Sequence, residues 1–229
     1  MATHADHLEK ETFYFVTFTC YKWLPLIEIT SLYDYVKGWS DQLSKRGIKL
    51  CGYVIMPNHI HLLVYVEEWT RSESSVGDSE TSNKSIGTRS ESSTGDSEVN
   101  KKSMNLIIGE AKRFMAYEIV KRLKNLEETG ILQTLSEGVQ QEERKKGKKH
   151  QVFRLSFDAK EVSGDDEIVK VLDYMHHNPV SGKWQLVEDF VDYPYSSARY
   201  YELGEQQGVM VWDFRTVGSE SSAGDSEGS

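Results

Sequence analysis

The feature that most constrains the fold is an apolar stretch, residues 48–67, that is interrupted once by Pro57-Asn58. Both halves are rich in β-branched and aromatic residues, which favour a pleated strand, and the Pro-Asn dipeptide is typical of a tight turn. The pattern therefore predicts a β-hairpin with strands at about 48–56 and 59–67.

The second strand of this hairpin carries two histidines, His59 and His61, on either side of Ile60. Side chains alternate between faces along a strand, so both imidazoles point to one face while Ile60 and Leu62 point to the other. Two adjacent imidazoles are half of a metal site, because imidazole is a common metal ligand. The alternative is a pair of surface or hydrogen-bonded core histidines, and a third ligand from elsewhere in the chain would decide between the two.

The remaining segments predict an α+β protein. Residues 13–20 are rich in aromatic and β-branched residues, as in a strand, and apolar residues recur at helical spacing over about 30–46 and 104–126. A fourth strand is predicted at 152–157. The order β-α-β-β-α-β is typical of a ferredoxin-like antiparallel sheet with helices on one face, here followed by an added C-terminal helix.

That last helix is predicted to begin at Ser163, as its N-cap, and to end at Asn178 before a proline. Tyr174 and Asn178 lie one helical turn apart, on one flank of its apolar stripe. If the helix covers the open face of the sheet, Asn178 can join His59 and His61 on a metal, and Tyr174 can point at a substrate. Two imidazoles and an amide oxygen leave positions for phosphate oxygen and water, which suits Mg²⁺ or Mn²⁺. The alternative is that Tyr174 is an ordinary residue of an amphipathic helix.

Charge is distributed unevenly along the chain. The net charge of −9, taken whole, argues against a nucleic-acid binder. Residues 70–98 and 218–229 each carry a net charge of −3, however, which leaves the remainder at only −3. These tracts contain three near-copies of S-E-S-S-x-G-D-S-E and too few apolar residues to fold. We therefore predict one domain at 1–204, interrupted by a disordered insertion at about 70–102, and a tail at 205–229 whose last part is disordered.

Basic and aromatic side chains outside those tracts could bind a single nucleic-acid strand by charge and by stacking. They lie on the helix at 104–126, in a charged connector at 140–150 and in a C-terminal segment. The candidate DNA contacts are Lys112, Arg113, Lys145, Lys146, Lys148, Lys149, Tyr195 and Arg199. The alternative is that the helix face is simply solvated and that the tyrosines of the last segment cover an edge of the core.

The chain has no apolar run long enough to cross a membrane, and its first residues lack the layout of a signal peptide. A cytoplasmic protein with no membrane partner is therefore expected. Cys20 and Cys51 fall in predicted strands without C-x-x-C spacing, which predicts buried thiols rather than a disulfide or a zinc cluster.

Three motifs occur in order: M-P-N-H-I-H at 56–61, Y-M-H-H-N-P-V at 174–180 and D-Y-P-Y-S-S-A-R-Y-Y at 192–201. Together they resemble the REP-associated tyrosine transposases, a branch of the single-tyrosine HUH transposases of bacterial insertion sequences. The resemblance covers about residues 13–201, apart from the insertion. It implies the ferredoxin-like fold and, as the DNA partner, repeated extragenic palindromes folded as hairpins.

The resemblance also implies roles for single residues. In that family the paired histidines bind a divalent metal, the tyrosine of the helix motif is the nucleophile, and the asparagine one turn later completes the metal shell. These roles carry over to His59 and His61, to Tyr174 and to Asn178. His176 matches the family pattern without an assigned role, and His177 is an alternative ligand or a phosphate contact.

The resulting hypothesis is cleavage of single-stranded hairpin DNA to a 5′-phosphotyrosine enzyme and a free 3′-hydroxyl, followed by strand transfer. A tyrosine hydroxyl, with a pKa near 10, is a poor nucleophile at neutral pH, so a metal would have to make the phosphate easier to attack. One rival is a DNA-binding protein that keeps the fold but no longer cuts. Another is a hydrolase in which water attacks and Tyr174 is incidental. A monomer is expected, with a dimer as the alternative.

Overall fold

The computed structural model describes residues 11–67 and 104–217. The predicted insertion at 70–102 and the final part of the predicted tail lie outside the described residues. The described strands are β1 (Thr12–Thr19), β2 (Ile48–Met56), β3 (His59–Val66) and β4 (Asp158–Val162). The helices are α1 (Leu26–Ile29), α2 (Tyr33–Ser44), α3 (Met104–Asn125), α4 (Thr129–Glu137), α5 (Gln141–Lys145), α6 (Asp165–His176) and α7 (Ala198–Leu203).

The four strands form one antiparallel sheet in the order β2-β3-β1-β4. The predicted α+β class, the antiparallel sheet and the hairpin of β2 and β3 are thereby confirmed. Thr19 of β1 pairs with His59, and Thr17 pairs with His61, so the two histidines lie in the interior of the sheet rather than at its edge.

The predicted fourth strand was placed wrongly. Residues 152–157 make a single bridge, between Cys20 and Phe153, and the strand that pairs with β1 is β4 at Asp158–Val162. Three of the five β4 residues are exposed, since an edge strand has a solvent-facing side that accepts polar side chains. Its D-A-K-E-V sequence therefore lacks the apolar pattern that marks the inner strands.

The sheet has a separate apolar core on each face. Ile60, Leu62 and Val64 of β3 pack on the first face, with residues of α1, α2 and α3. Leu63 and Tyr65 point to the second face, where α6 packs. The predicted alternation along β3 is thus present, and α6 covers the face that α1, α2 and α3 leave open.

The C-terminal segment covers the outer edge of β2. Ile55 N–H donates to the Tyr195 carbonyl (2.8 Å), and Trp212 N–H donates to the Leu50 carbonyl (2.9 Å). Residues 205–217, predicted as the start of the tail, pack on the protein, since Val211 and Phe214 are buried. The domain boundary at residue 204 stays a prediction. No helix in the described ranges is both long and apolar enough to span a membrane.

Candidate active site and nucleic-acid interface

Helix α6 approaches the sheet closely because β2 carries a glycine beneath it. The register of β2 against β3 shifts between Leu50 and Gly52, as at a β-bulge. A Cβ at Gly52 would lie 2.5 Å from Leu172 Cδ2 and 2.9 Å from Met175 Cε, both on α6. Glycine at this position therefore determines how near the helix, and with it Tyr174, comes to the histidines.

The start of α6 differs from the prediction. The N-cap is Gly164, with a φ of 78°, and not Ser163. Glycine adopts positive φ without steric cost, so the chain turns into the helix at this residue. Ser163 instead donates its backbone N–H to Glu167 Oε2 (3.2 Å).

Tyr174 lies against the histidine pair. The centroids of the His59 and His61 rings are 4.8 Å apart, and the Tyr174 ring centroid is 5.5 Å from that of His61. Phe15 supports the Tyr174 ring from β1 at 6.1 Å, with the ring planes at 87°. The two imidazoles are buried, whereas 56% of Tyr174 is exposed. An accessible phenol thus stands beside two buried imidazoles.

Both imidazoles are neutral at physiological pH. Burial lowers the pKa of His59 to about 4, with the charge of Lys183 acting in the same direction and a hydrogen bond with Asn178 acting against it. Burial and the neighbouring His59 lower the pKa of His61 to about 3. Neutral imidazole is the form that binds a metal ion, because its ring nitrogen keeps a free lone pair.

Each imidazole is oriented through its Nδ1 atom. His59 Nδ1 lies 2.6 Å from Asn58 Oδ1, and His61 Nδ1 lies 2.6 Å from Thr17 Oγ1. Asn58 Nδ2 donates to the Trp23 carbonyl (3.0 Å), so its Oδ1 is the atom that accepts from His59. His59 therefore carries its proton on Nδ1 and keeps the lone pair on Nε2, the usual arrangement of a metal-binding histidine.

Asn178 lies beside the pair, two residues after α6 ends at His176. Its Nδ2 donates to the Tyr174 carbonyl (2.9 Å), and its side chain is within hydrogen-bond reach of His59. Since the amide nitrogen is committed to Tyr174, the amide oxygen remains as a ligand atom. The structure thus brings together all four residues predicted for the reaction centre, and their roles stay predictions.

The residues beside Tyr174 offer a mixed nitrogen and oxygen donor set, and Mg²⁺ or Mn²⁺ as its metal stays a prediction. Within residues 11–67 and 104–217, no three His, Cys, Asp or Glu side chains converge on a metal position. A metal at this site would therefore depend on His59, His61 and the amide oxygen of Asn178. Such a mixed nitrogen and oxygen set leaves positions for phosphate and water, unlike a closed structural zinc site.

The two auxiliary histidines lie in different environments. His176 is buried, and its Nε2 is 2.8 Å from Ser197 Oγ, so it links α6 to the segment that covers β2. Burial lowers its pKa to about 4, which keeps this contact neutral. Asp173 orients His177, since the Asp173 carbonyl lies 2.9 Å from His177 Nδ1. The His177 ring packs against Phe190, with the ring centroids 4.1 Å apart and the planes tilted by 37°.

Five of the eight predicted DNA contacts line one cleft of about 840 Å³ between α3 and residues 143–157. Aromatic residues, including Tyr117 and Phe153, line it as well. Its basic side chains outnumber its single acidic residue, Glu143; they are Lys112, Arg113, Lys124, Lys146, Lys148, Lys149 and Arg154. A cleft with this composition suits a polyanion that also carries aromatic rings.

The cations of this cleft affect one another. Burial and the charge of Lys148 lower the pKa of Lys112 to about 8, and the Lys112 ammonium donates to the carbonyls of Arg154 (2.5 Å) and Leu155 (3.3 Å). Burial together with the charges of Lys124 and Lys149 lowers the pKa of His150. Burial is the larger cause of both shifts, and the lysine charges act in the same direction, as expected where basic side chains outnumber acidic ones.

Three predicted DNA contacts lie outside the cleft. Lys145 pairs with Glu142 on the exposed side of α5 (2.9 Å). Tyr195 stacks on Tyr33 at a ring distance of 3.7 Å and lines a separate pocket. Arg199 pairs with Glu205 (2.6 Å). The structure therefore does not bring these three together with the other five.

The tyrosines of the same segment follow the alternative interpretation. Tyr193 Oη donates to the Ile55 carbonyl (2.8 Å), and Tyr201 Oη donates to the Cys51 carbonyl (2.6 Å). Both partners belong to β2, so these two side chains cover an edge of the sheet.

Four further residues belong to the site and were not predicted from the sequence. Asn58 and Thr17 orient the imidazoles, Lys183 places a positive charge near His59, and Trp23 contacts His59 at a ring distance of 6.1 Å. The position of Asn58 within the M-P-N-H-I-H motif could have indicated the first. No periodicity marks the other three, since their positions depend on tertiary contacts.

Similarity to known proteins is found among solved structures. No family model matches the sequence, and a comparison with curated proteins finds no match. Among solved structures, a REP-associated tyrosine transposase bound to a REP hairpin is similar to this chain at 15% sequence identity and a TM-score of 0.46, covering 93% of each chain. A TM-score below 0.5 does not establish a common fold.

Proposed function

We propose that this protein is a metal-dependent endonuclease and strand transferase for single-stranded DNA, and that it forms a 5′-phosphotyrosine intermediate through Tyr174. The observation that carries the proposal is that the accessible Tyr174 ring lies 5.5 Å from the ring of His61, one member of a buried, neutral histidine pair. Two of the three motifs that resemble REP-associated tyrosine transposases contain these same residues. The antiparallel strand order β2-β3-β1-β4 supports the finer proposal of a ferredoxin-like fold.

The nucleophile is held but not buried. Phe15 and His61 fix the plane of the Tyr174 ring, and α6 fixes its backbone, so little freedom is lost when a phosphate is brought to the phenol. Because 56% of the residue is exposed, solvent can take up the phenol proton as the bond to phosphorus forms.

His59, His61 and Asn178 would hold the divalent cation. When bound, the cation withdraws charge from the nonbridging oxygens of the scissile phosphate, which makes a weak nucleophile sufficient. The Lys183 ammonium adds positive charge near His59.

The proposed reaction exchanges one phosphodiester bond for another. A bond forms between Tyr174 Oη and phosphorus, the bond from phosphorus to the 3′-oxygen breaks, and that oxygen leaves as a free 3′-hydroxyl after taking up a proton. In the reverse direction a 3′-hydroxyl attacks the phosphotyrosine and releases Tyr174. Strands are therefore exchanged without ATP and without hydrolysis.

The proposed substrate is a DNA hairpin with a single-stranded flank, of the repeated extragenic palindrome type that the motifs imply. The cleft beside α3 supplies the charge and the aromatic surface that such a strand needs. We propose a monomer as the active form, because the cleft and the reaction centre belong to one chain.

The test is denaturing electrophoresis of hairpin DNA from the flanks of the protein's own gene, incubated with Mg²⁺ or Mn²⁺. DNA labelled at its 3′ end should shift to the size of a protein adduct, while DNA labelled at its 5′ end should yield a shorter free strand. Tyr174→Phe should give neither product. Tyr35→Phe is the matched control, because this tyrosine lies on α2, outside the cleft and the reaction centre.

Other outcomes would favour the rival functions. Cleavage by Tyr174→Phe would indicate a hydrolase in which water attacks. Hairpin binding by the wild-type protein without any cleavage would indicate a DNA-binding protein that has lost its activity.

A further inference from the structure

We infer that Trp23 forms a stacking site for one unpaired nucleobase, between the basic cleft and the histidine pair. The inference rests on the proposed function, since it concerns how a single strand reaches Tyr174. It assigns a ligand class, a flat heteroaromatic base, to a residue outside the three sequence motifs.

The position of Trp23 links two sites that otherwise have no residue in common. The Arg154 guanidinium lies over the Trp23 ring, 5.8 Å from its centroid, and Arg154 lines the cleft. The Trp23 ring also contacts His59 of the reaction centre edge to face, with the ring centroids 6.1 Å apart. A strand that leaves the cleft toward the histidines therefore passes Trp23.

Trp23 is accessible although tryptophan is the side chain with most to gain from burial. Its exposed fraction is 53%, whereas Trp39, Trp184 and Trp212 are all partly buried against the two cores. An exposed indole beside a guanidinium is the combination that stacks a base and neutralises the adjoining phosphate, and stacking tolerates any base because each has a π-face.

The backbone holds Trp23 in an uncommon conformation. Lys22 and Trp23 have φ values of 52° and 58°, in the left-handed region that non-glycine residues rarely occupy. Trp23 N–H donates to the Cys20 carbonyl (3.1 Å), and the Trp23 carbonyl accepts from Asn58 Nδ2 (3.0 Å). Strained backbone of this kind persists where the surrounding structure imposes it, often at functional sites.

The same Asn58 joins the stacking site to the reaction centre. Its Nδ2 holds the Trp23 carbonyl, and its Oδ1 orients His59. A base stacked on Trp23 is therefore held in a fixed position relative to His59, so that the neighbouring phosphate is presented to Tyr174.

The experiment is a double-mutant cycle in which one partner is the protein and the other is the DNA. Binding of a labelled hairpin with single-stranded flanks is measured by fluorescence anisotropy in EDTA, with Tyr174→Phe as the background so that no cleavage intervenes. Trp23→Ala should raise Kd by roughly 5- to 150-fold, the effect of losing one stacked base. Trp23→Tyr should restore most of the affinity, which shows that an aromatic ring and not the turn itself is required.

An abasic scan of the flank then locates the partner base. One abasic position should weaken binding by the Trp23-containing protein and have no further effect on Trp23→Ala. Equal binding by both proteins, or failure of Trp23→Tyr to restore affinity, would overturn the stacking site while leaving the Tyr174 chemistry intact. If neither the Tyr174→Phe background nor any Trp23 variant binds the hairpin, the proposed function and the inference are both overturned.

Discussion

Replacing Asn58 tests whether the buried amide sets the histidine pair for metal binding. Asn58 is fully buried and makes two hydrogen bonds, to His59 Nδ1 (2.6 Å) and to the Trp23 carbonyl (3.0 Å). Asn58→Ala removes both bonds and leaves two groups without partners. At about 1–3 kcal/mol for each orphaned group, the free energy of unfolding should fall by roughly 2–6 kcal/mol.

The same change should weaken metal binding. Loss of the partner that orients a metal-binding histidine typically costs about 10- to 100-fold in affinity, equivalent to about 1.4–2.7 kcal/mol. Asn58→Asp separates this effect from stability. Its carboxylate still accepts from His59 Nδ1 but cannot donate to the Trp23 carbonyl, so we expect lower stability with the affinity for Mn²⁺ retained.

Titration calorimetry with Mn²⁺ at pH 7.5 measures the affinity, and urea unfolding in EDTA measures the stability. We expect the order of affinity to be wild type close to Asn58→Asp and both above Asn58→Ala. If folded Asn58→Ala binds Mn²⁺ as tightly as the wild type, Asn58 does not orient a metal ligand and the reasoning fails.

Three further predictions concern α6, the buried thiols and the cleft. Gly52→Ala forces a methyl group against α6, so we expect the free energy of unfolding in urea to fall by about 1–3 kcal/mol and less adduct to form with DNA. Gly38→Ala is the control, because nothing lies within 4 Å of its added Cβ, and it should show neither effect. Equal behaviour of the two variants would contradict the close approach of α6. Burial raises the pKa of Cys20 and Cys51 to about 12, so above pH 9 the unfolded chain loses thiol protons that the folded chain keeps, and stability falls as pH rises. At pH 10.5 this amounts to about 2 kcal/mol for each thiol relative to pH 7.5, and Cys20→Ala should remove one such share in urea unfolding at the two pH values; an unchanged pH slope would argue against it. Replacing Lys146 and Lys149 by Ala should reduce the steepness with which the logarithm of the hairpin-binding constant falls against the logarithm of the salt concentration by about 1–2. Lys145→Ala should leave this slope unchanged, and a larger effect of Lys145→Ala would place the DNA elsewhere.

The hairpin and the histidine pair could be predicted because local rules decide them. Strand alternation places His59 and His61 on one face, and Pro57-Asn58 selects the turn whatever packs around it. Helical periodicity likewise places Tyr174 and Asn178 one turn apart, and the apolar stripe of α6 indicates which side faces the sheet.

Other parts of the site depend on contacts between distant segments. The edge strand β4 has little apolar pattern, since one side of it faces solvent. Helix α5 falls where the sequence suggested a connector, and α4 lies in a stretch for which no element was predicted. Lys22 and Trp23 both have positive φ values, which no residue propensity at these positions favours. The charge of the five lysine and arginine residues of the cleft was enough to predict them as candidate DNA contacts. The ion pair between Arg199 and Glu205 could not be predicted from the sequence.

The central claim is that Tyr174 is the nucleophile, and the most direct measurement is mass spectrometry of the trapped adduct. Wild-type protein is incubated with the hairpin and Mn²⁺, denatured and digested with protease and nuclease, and the peptide that carries a nucleotide is sequenced. We predict a 5′-nucleotide on Tyr174, in the α6 peptide. A nucleotide on any other residue, or cleaved DNA with no modified peptide, would contradict the account.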